Sequence, residues 1–179
     1  MNRAIQLIQP DISHVGLLAE IGAKTFAETF VGMQYYTQKI VDGYTSQAFA
    51  HAVVQSELTD SLNHFRLLRV EDEWAGYAKL IEGNSPAVLA GRHAINLQRI
   101  YILKAFQRRG LGDVLLNESF AIGRQLGYQH LWLTVWEFNK PALTFYRKHG
   151  FTQEGDYEWA FEHEGKRYVD IDWVFTKPL

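Results

Sequence analysis

The stretch that decides the fold is Gln107-Arg108-Arg109-Gly110-Leu111-Gly112, which lies between a predicted strand and a predicted helix. At such a junction, backbone N–H groups and the positive end of the helix dipole converge on an anion. The two glycines allow close approach of the backbone, and the two arginines add charge that suits a pyrophosphate better than a single carboxylate. Taken alone, the pattern is equally typical of a tight turn at a helix start.

Two other phosphate-binding motifs are absent from the sequence. A dinucleotide-binding fold requires G-x-G-x-x-G, usually after its first strand, and a P-loop requires Gly-Lys-Ser/Thr. The chain contains neither pattern. A flavin- or nucleotide-binding domain is therefore only a remote alternative.

The composition is that of one folded domain. The chain has 179 residues, close to the about 150 residues of a typical domain, so residues 1–179 are expected to form a single domain. With 18 Lys and Arg against 20 Asp and Glu, no nucleic-acid partner is expected. No apolar stretch is long enough for a membrane span, and we expect a cytoplasmic protein. The absence of Cys excludes a thioester on the protein, so any group transfer must be direct or use another nucleophile.

Strands and helices alternate on both sides of residues 107–112, which we call the turn. Downstream, residues 111–126 are predicted as a helix, 130–136 as an apolar strand, and 141–149 as a short helix that ends at Gly150. Elsewhere we expect two helices, over 15–32 and 46–58. We also expect four strands over 4–8, 65–70, 74–81 and 94–103, and two more strands, one on each side of Glu164-Gly165. The prediction is an α/β protein in which only the middle section has the βαβ crossover pattern.

A second motif lies about 30 residues after the first. Residues 132–151 read WLTVWEFNKPALTFYRKHGF. Together, Q-R-R-G-L-G and this block resemble the acetyl-CoA loop and the following strand and helix of the GCN5-related N-acetyltransferases (GNAT). Glu28-Thr29-Phe30 and Ala75-Gly76-Tyr77 resemble the PaiA-type polyamine acetyltransferases of that family. The resemblance implies a mixed, mostly antiparallel sheet of six or seven strands with a central βαβ section that binds acetyl-CoA, flanked by about four helices.

The same resemblance assigns roles to individual residues. It implies that the turn holds the diphosphate of acetyl-CoA and that the strand before it pairs with the pantetheine arm. Asn139 would hold the arm from the other side, although it also suits a helix N-cap. Tyr146 would donate a proton to the departing thiolate, and Lys148 could reach the phosphates. The implied cofactor-binding residues are Ile100, Tyr101, Ile102, Gln107, Arg108, Arg109, Gly110, Leu111, Gly112, Asn139 and Lys148.

The sequence does not identify a general base. PaiA-like relatives tend to carry a Glu two residues ahead of the I-Y-I strand core, whereas this chain has Gln98. An amide cannot take a proton from an ammonium. Ordered water, with Glu137 or another carboxylate behind it, is the remaining option.

The acceptor is expected to be a small-molecule primary amine, with a polyamine as first candidate. The resemblance also implies that Phe26, Phe30 and Trp136 line an aromatic pocket able to hold an ammonium, although Phe26 and Phe30 on one helix face are more typical of core residues. The acidic C-terminal hairpin could steer a polycation, and solvated strand faces explain its charges equally well. An aminoglycoside, a protein or peptide amine, and a non-catalytic acyl-CoA sensor are the alternatives. No metal is predicted, because the His residues lack ligand spacing. By resemblance a homodimer is one option, and the sequence leaves the oligomeric state open.

Overall fold

The structure is a computed structural model that describes residues 4–179. The strands are β1 (Ile5–Ile8), β2 (Asn63–Val70), β3 (Glu73–Ile81), β4 (Ala94–Ile102), β5 (His130–Trp136), β6 (Thr152–His163) and β7 (Lys166–Pro178). The helices are α1 (Val15–Phe30), α2 (Gln38–Ala48), α3 (His51–Thr59), α4 (Leu111–Gln125) and α5 (Lys140–Lys148). The seven strands form one mixed sheet in the order β1-β2-β3-β4-β5-β7-β6.

The described residues divide into two compact units, residues 4–81 with 99–119 and residues 82–98 with 120–179. In the first unit, β1, β2 and β3 form an antiparallel meander. Helix α1 lays its apolar stripe on one face of these strands, because Leu18 and Ile21 recur at helical spacing and pack with Phe65, Leu67 and Tyr77. This packing fixes the face on which α1 and α3 lie.

The second unit contains the parallel pair of strands that the crossover predicted from the sequence requires. Strand β4 pairs in parallel with β5 over Ala94–Asn96, and β5 then pairs antiparallel with β7, which forms a long hairpin with β6. On one face, Leu89 from the preceding loop is buried with Ala94, Trp132 and Val174. The predicted α/β mixed sheet is confirmed.

One predicted element is wrong. The expected helix over 46–58 is interrupted, because Ala50 takes an extended conformation with ψ of 140° between α2 and α3. The chain therefore has five helices within residues 4–179, where the sequence suggested about four. The signal for α2 is Thr37, whose hydroxyl accepts a hydrogen bond from the Ile40 amide as an N-cap.

Two features are absent from residues 4–179. No helix in this part of the chain is both long and apolar enough to cross a membrane. No group of three or more His, Asp or Glu side chains there could hold a metal ion. The cytoplasmic location stays a prediction.

Candidate functional site

The turn between β4 and α4 has an unusual backbone. Arg108 has φ of 60° and Gly110 has φ of 76°, so two of the three residues before the first helical residue, Leu111, have left-handed conformations. Such a turn directs successive N–H groups into one concavity, and the first turn of a helix has no internal partners for its own N–H groups. A Cβ built on Gly110 would meet no atom within 4 Å, so the space beside this backbone is open.

The three polar side chains of this turn differ in how they are used. Gln107 donates from Nε2 to the Ile102 carbonyl at 3.0 Å, which ties the turn to the end of β4. Arg109 donates to the Ala105 carbonyl at 2.7 Å and lies over the Phe106 ring. Arg108 is exposed, and among residues 4–179 it has no hydrogen-bond or ion-pair partner. Arg108 is therefore the cation of this turn that an incoming anion can engage at no cost to an existing bond.

At the end of β4, the backbone N–H and C=O groups of one strand edge point away from β3. The Leu103 amide donates to the Ala75 carbonyl at 2.9 Å, and a Cβ on Gly76 would clash with the carbonyl oxygen of Tyr101. Since backbone groups alternate in direction along a strand, those of Ile100 and Ile102 point to the other edge. Gly76 is thus required for close strand approach, and the predicted edge for an added strand is present in the first unit.

Phe26 lies at the centre of an aromatic cluster in the first unit. Its ring stacks on Tyr44 at 4.4 Å and contacts Phe30 at the same distance. Phe49 and Tyr101 lie at 6.5 Å. Phe26 and Phe30 are both partly buried, so they contribute to packing and also present ring surface to solvent.

A charged cluster that the sequence did not reveal lies in the same unit. The Glu57 carboxylate accepts from Lys79 at 2.7 Å and from Arg99 at 2.8 Å. The Arg99 guanidinium lies 4.9 Å from the centre of the Phe49 ring. Burial lowers the pKa of Lys79 to about 8, opposed by its hydrogen bond to Glu57. Register between distant strands and α3 brings these groups together, which no local motif indicates.

In the second unit, α5 carries three of the predicted site residues. Asn139 is the N-cap, since its side chain accepts from the Ala142 amide at 3.3 Å, so the capping role predicted for it is confirmed. Tyr146 is buried, with its ring 5.4 Å from Phe151. Lys148 is exposed in the last turn. Trp136 ends β5 nearby in the chain, with its ring 5.3 Å from Phe138.

Comparison with known proteins identifies the family. The acetyltransferase (GNAT) family model matches residues 33–151. This chain is a GNAT protein. An uncharacterized N-acetyltransferase in the pepI 3′ region of Lactobacillus delbrueckii subsp. lactis is 29% identical over 149 residues, covering 83% of this chain and 85% of that one. The streptothricin acetyltransferase of Streptomyces lavendulae is 32% identical over 62 residues, covering 35% and 33% of the two chains.

Solved structures agree on the fold. The PaiA N-acetyltransferase of Thermoplasma acidophilum, solved in complex with coenzyme A, superposes with a TM-score of 0.79 and 18% identity, over 98% of this chain and 99% of that one. At this identity the likeness shows the GNAT fold alone. Together, the family match and the named relatives make this chain a GNAT N-acetyltransferase.

GNAT enzymes use acetyl-CoA, and the turn before α4 fits part of it. A diphosphate needs converging N–H donors and a cation, which the left-handed backbone at Arg108 and Gly110 and the free Arg108 guanidinium supply. The first unit of this GNAT chain groups the turn with Ile100–Ile102, Phe26 and Phe30, and the second groups Trp136, Asn139, Tyr146 and Lys148. The binding and catalytic roles of these residues stay predictions.

Proposed function

We propose that residues 1–179 form one GNAT domain that transfers the acetyl group of acetyl-CoA directly to a primary amine of a small molecule. The observation that carries the proposal is the turn before α4, where the left-handed Arg108 and Gly110 direct backbone donors to an open space. Direct transfer follows because the chain has no Cys to carry an acyl group.

The proposed roles divide between the two ends of the cofactor. The turn and Arg108 bind the diphosphate, with Lys148 as an additional cation for the phosphates. The outward backbone edge at Ile100 and Ile102 pairs with the pantetheine arm as an added strand would, and the Asn139 side chain contacts the arm as well.

Tyr146 is the proposed proton donor to the leaving sulfur. A phenol with a pKa of about 10 is a weaker acid than a thiol of about 8.5, so the thiolate takes a proton from it downhill. Its position in the F-Y-x-K-x-G-F segment of α5 supports this role. Its contact with Phe151 also gives Tyr146 a packing role.

A polyamine is the first acceptor that we propose to test. The aromatic cluster around Phe26 offers ring faces that attract an ammonium. The C-terminal hairpin is rich in carboxylates, with Glu154, Asp156, Glu158 and Glu162 on β6, and a negative surface steers polycations. The name of the streptothricin-acetylating relative makes an antibiotic amine the competing acceptor class.

The test is a panel of amines with acetyl-CoA, read as release of free thiol. Spermidine, spermine, streptothricin, kanamycin and lysine cover the candidate classes. We expect turnover with at least one amine, and a Tyr146→Phe variant that loses about 100-fold in kcat. Tyr128→Phe is the matched control, because the Tyr128 hydroxyl is bonded to Glu82 at 2.8 Å and is assigned no part in the reaction.

Three results would contradict parts of the proposal. Turnover with streptothricin but with neither spermidine nor spermine would overturn the polyamine assignment. Equal rates for Tyr146→Phe and wild type would remove Tyr146 from the reaction. Tight binding of acetyl-CoA with no turnover on any amine would instead identify a non-catalytic acyl-CoA sensor.

A further inference from the structure

Amine acetylation needs a base, which Gln98 cannot supply. An alkylammonium with a pKa of about 10.4 is almost fully protonated at neutral pH, so a proton must leave before nitrogen can attack the thioester. The inference below rests on the proposed function and concerns which carboxylate takes that proton.

Three carboxylates of the first unit are already engaged. Glu28 accepts from the Lys104 amide at 2.7 Å. Glu118 pairs with Arg66 at 2.7 Å, and Glu57 pairs with both Lys79 and Arg99. Each of these three carboxylates already accepts a hydrogen bond from a cation or from a backbone N–H group. Their oxygens are therefore occupied by partners within the protein.

Asp172, in the second unit, has surroundings that differ from those of these three carboxylates. It lies on β7 directly opposite Trp136 of β5 on one side and Tyr157 of β6 on the other. Directly opposite residues of antiparallel strands share a sheet face, so the carboxylate lies in a row between two aromatic residues. Aromatic faces beside a carboxylate attract an ammonium.

The sheet face beside Asp172 is open at one point. Thr134 lies two residues beyond Trp132, the last β5 residue that pairs with β4, and it is exposed between buried Leu133 and Val135. Thr134 shares its face with Trp132 and Trp136 because side chains alternate along a strand. An exposed side chain at this point of β5 marks a part of the face that no other element of the protein covers. Thr134 pairs with Val174 and Asp172 pairs with Trp136, so Thr134 and Asp172 are diagonal neighbours on this face. The carboxylate therefore lies beside this opening.

The electrostatic surroundings of Asp172 favour proton uptake. Within residues 4–179, no Lys, Arg or His side chain pairs with it. The titratable groups that face it are Asp170, buried at 3% exposure on the same strand, and Tyr157 on β6, while β5 presents only Thr134 and Trp136. Burial, with repulsion from Asp170, raises the pKa of Asp172 to about 6, against the lowering influence of the nearby Thr134 hydroxyl. The group is thus ionised at neutral pH and still basic enough to accept a proton.

We propose that Asp172 is the general base of the acetyl transfer, accepting the acceptor's proton at the open part of the sheet face beside Thr134. The ammonium gives one proton to the Asp172 carboxylate, which later releases it to solvent. The nitrogen lone pair forms the new N–C bond, the C–S bond breaks, and the sulfur takes a proton from Tyr146. The second proton lost by the nitrogen restores the Tyr146 phenol, so one proton is released in each turnover.

The test is the pH profile of kcat/KM between pH 5 and 10, with the most reactive amine of the panel. In wild type, kcat/KM falls as the pH is lowered through about 6, since Asp172 becomes protonated. We expect Asp172→Asn to lose about 100-fold at pH 7.5. At pH 10 we expect kcat/KM of Asp172→Asn to be less than about 10-fold below that of wild type, because about a quarter of an amine of pKa 10.4 is already neutral there. A merely structural defect would not diminish in this way.

The controls use other carboxylates. Glu73→Gln changes an exposed carboxylate at the start of β3 that is assigned no part in binding or catalysis, and it keeps the wild-type profile. Glu137→Gln tests the other carboxylate at the end of β5 and is expected to do the same. Asp172→Glu keeps a carboxylate and retains the acidic fall in kcat/KM. Circular dichroism and coenzyme A binding confirm that each variant is folded.

The outcomes separate this inference from the proposed function. A wild-type protein that acetylates no amine overturns both. Wild-type turnover together with an unchanged profile in Asp172→Asn overturns the base alone. A loss in Glu137→Gln that disappears at pH 10, with Asp172→Asn unaffected, assigns the role to Glu137 and overturns the proposal.

Discussion

Two partly buried carboxylates, one in each unit, have opposite surroundings. Glu57 is 17% exposed at its side chain and is held by two cations, Lys79 and Arg99. Asp172 has the Thr134 hydroxyl and a second carboxylate, Asp170, as neighbours, and its pKa is raised to about 6. Burial is common to both carboxylates, whereas Glu57 has two partner cations and Asp172 has none within residues 4–179.

The difference separates structural from functional charge. A buried ion pair is costly to break, because removal of one partner leaves the other charge without compensation. A buried carboxylate without a cation pays the cost of desolvation continuously, and such groups concentrate where proton transfer is needed. Charge compensation therefore distinguishes groups that hold the fold from groups that are positioned to react.

The largest effect is expected at Glu57. Glu57→Gln leaves Lys79 and Arg99 without their shared carboxylate and lowers the free energy of unfolding by about 3 kcal/mol, measured by urea denaturation at pH 7. Glu158→Gln is the control, because the Glu158–Arg167 pair is exposed and 4.0 Å apart and contributes less than about 1 kcal/mol. Equal losses in the two variants would break the comparison.

The opposite sign is expected at Asp172. Its pKa is raised in the folded state, from 3.8 to about 6, so ionisation costs stability as the pH rises through that range. Asp172→Asn removes this cost and raises the free energy of unfolding by about 2 kcal/mol at pH 7.5, with almost no difference at pH 4. Denaturant unfolding of the variant and of wild type at both pH values measures this difference in the free energy of unfolding. A variant less stable than wild type at pH 7.5 would show that the carboxylate is compensated after all.

The arginines of the turn extend the comparison to positive charge. Arg108 has no partner, whereas Arg109 is bonded to Ala105 and lies over Phe106. We expect Arg108→Ala to weaken coenzyme A binding about 10-fold, or about 1.4 kcal/mol, and Arg109→Ala to weaken it less than about threefold. Isothermal titration calorimetry gives both values. A larger loss in Arg109→Ala would mean that Arg109 leaves Ala105 to bind the cofactor.

Local signals predicted most of the fold. Strand β5 and helix α5 were predicted to within a residue or two, because an apolar β-rich run is followed by Asn139, Pro141 and Gly150. The break between α2 and α3 was not predicted. Phe49, beside that break, packs so closely on α1 that a Cβ at Gly22 would clash with its ring, which shows that contacts distant in sequence shape this segment.

The candidate site was predictable to the same extent. Arg108, Gly110 and Asn139 belong to short motifs whose chemistry follows from a turn or a helix start. Asp172 appeared only as one of several acids in a hairpin, because its importance depends on the register that places it opposite Trp136. Which of two adjacent arginines is free also depends on a contact, that of Arg109 with Ala105.

The left-handed backbone at Arg108 has a further consequence. A residue with a Cβ at φ of 60° pays about 1 kcal/mol that a glycine would not. Replacement of Arg108 by glycine would therefore make the folded protein more stable and would remove the free guanidinium. The first effect is measured by denaturation and the second by ligand binding. At position 108, arginine lowers conformational stability and raises ligand affinity. Selection for heat resistance and selection for turnover should therefore favour different amino acids there.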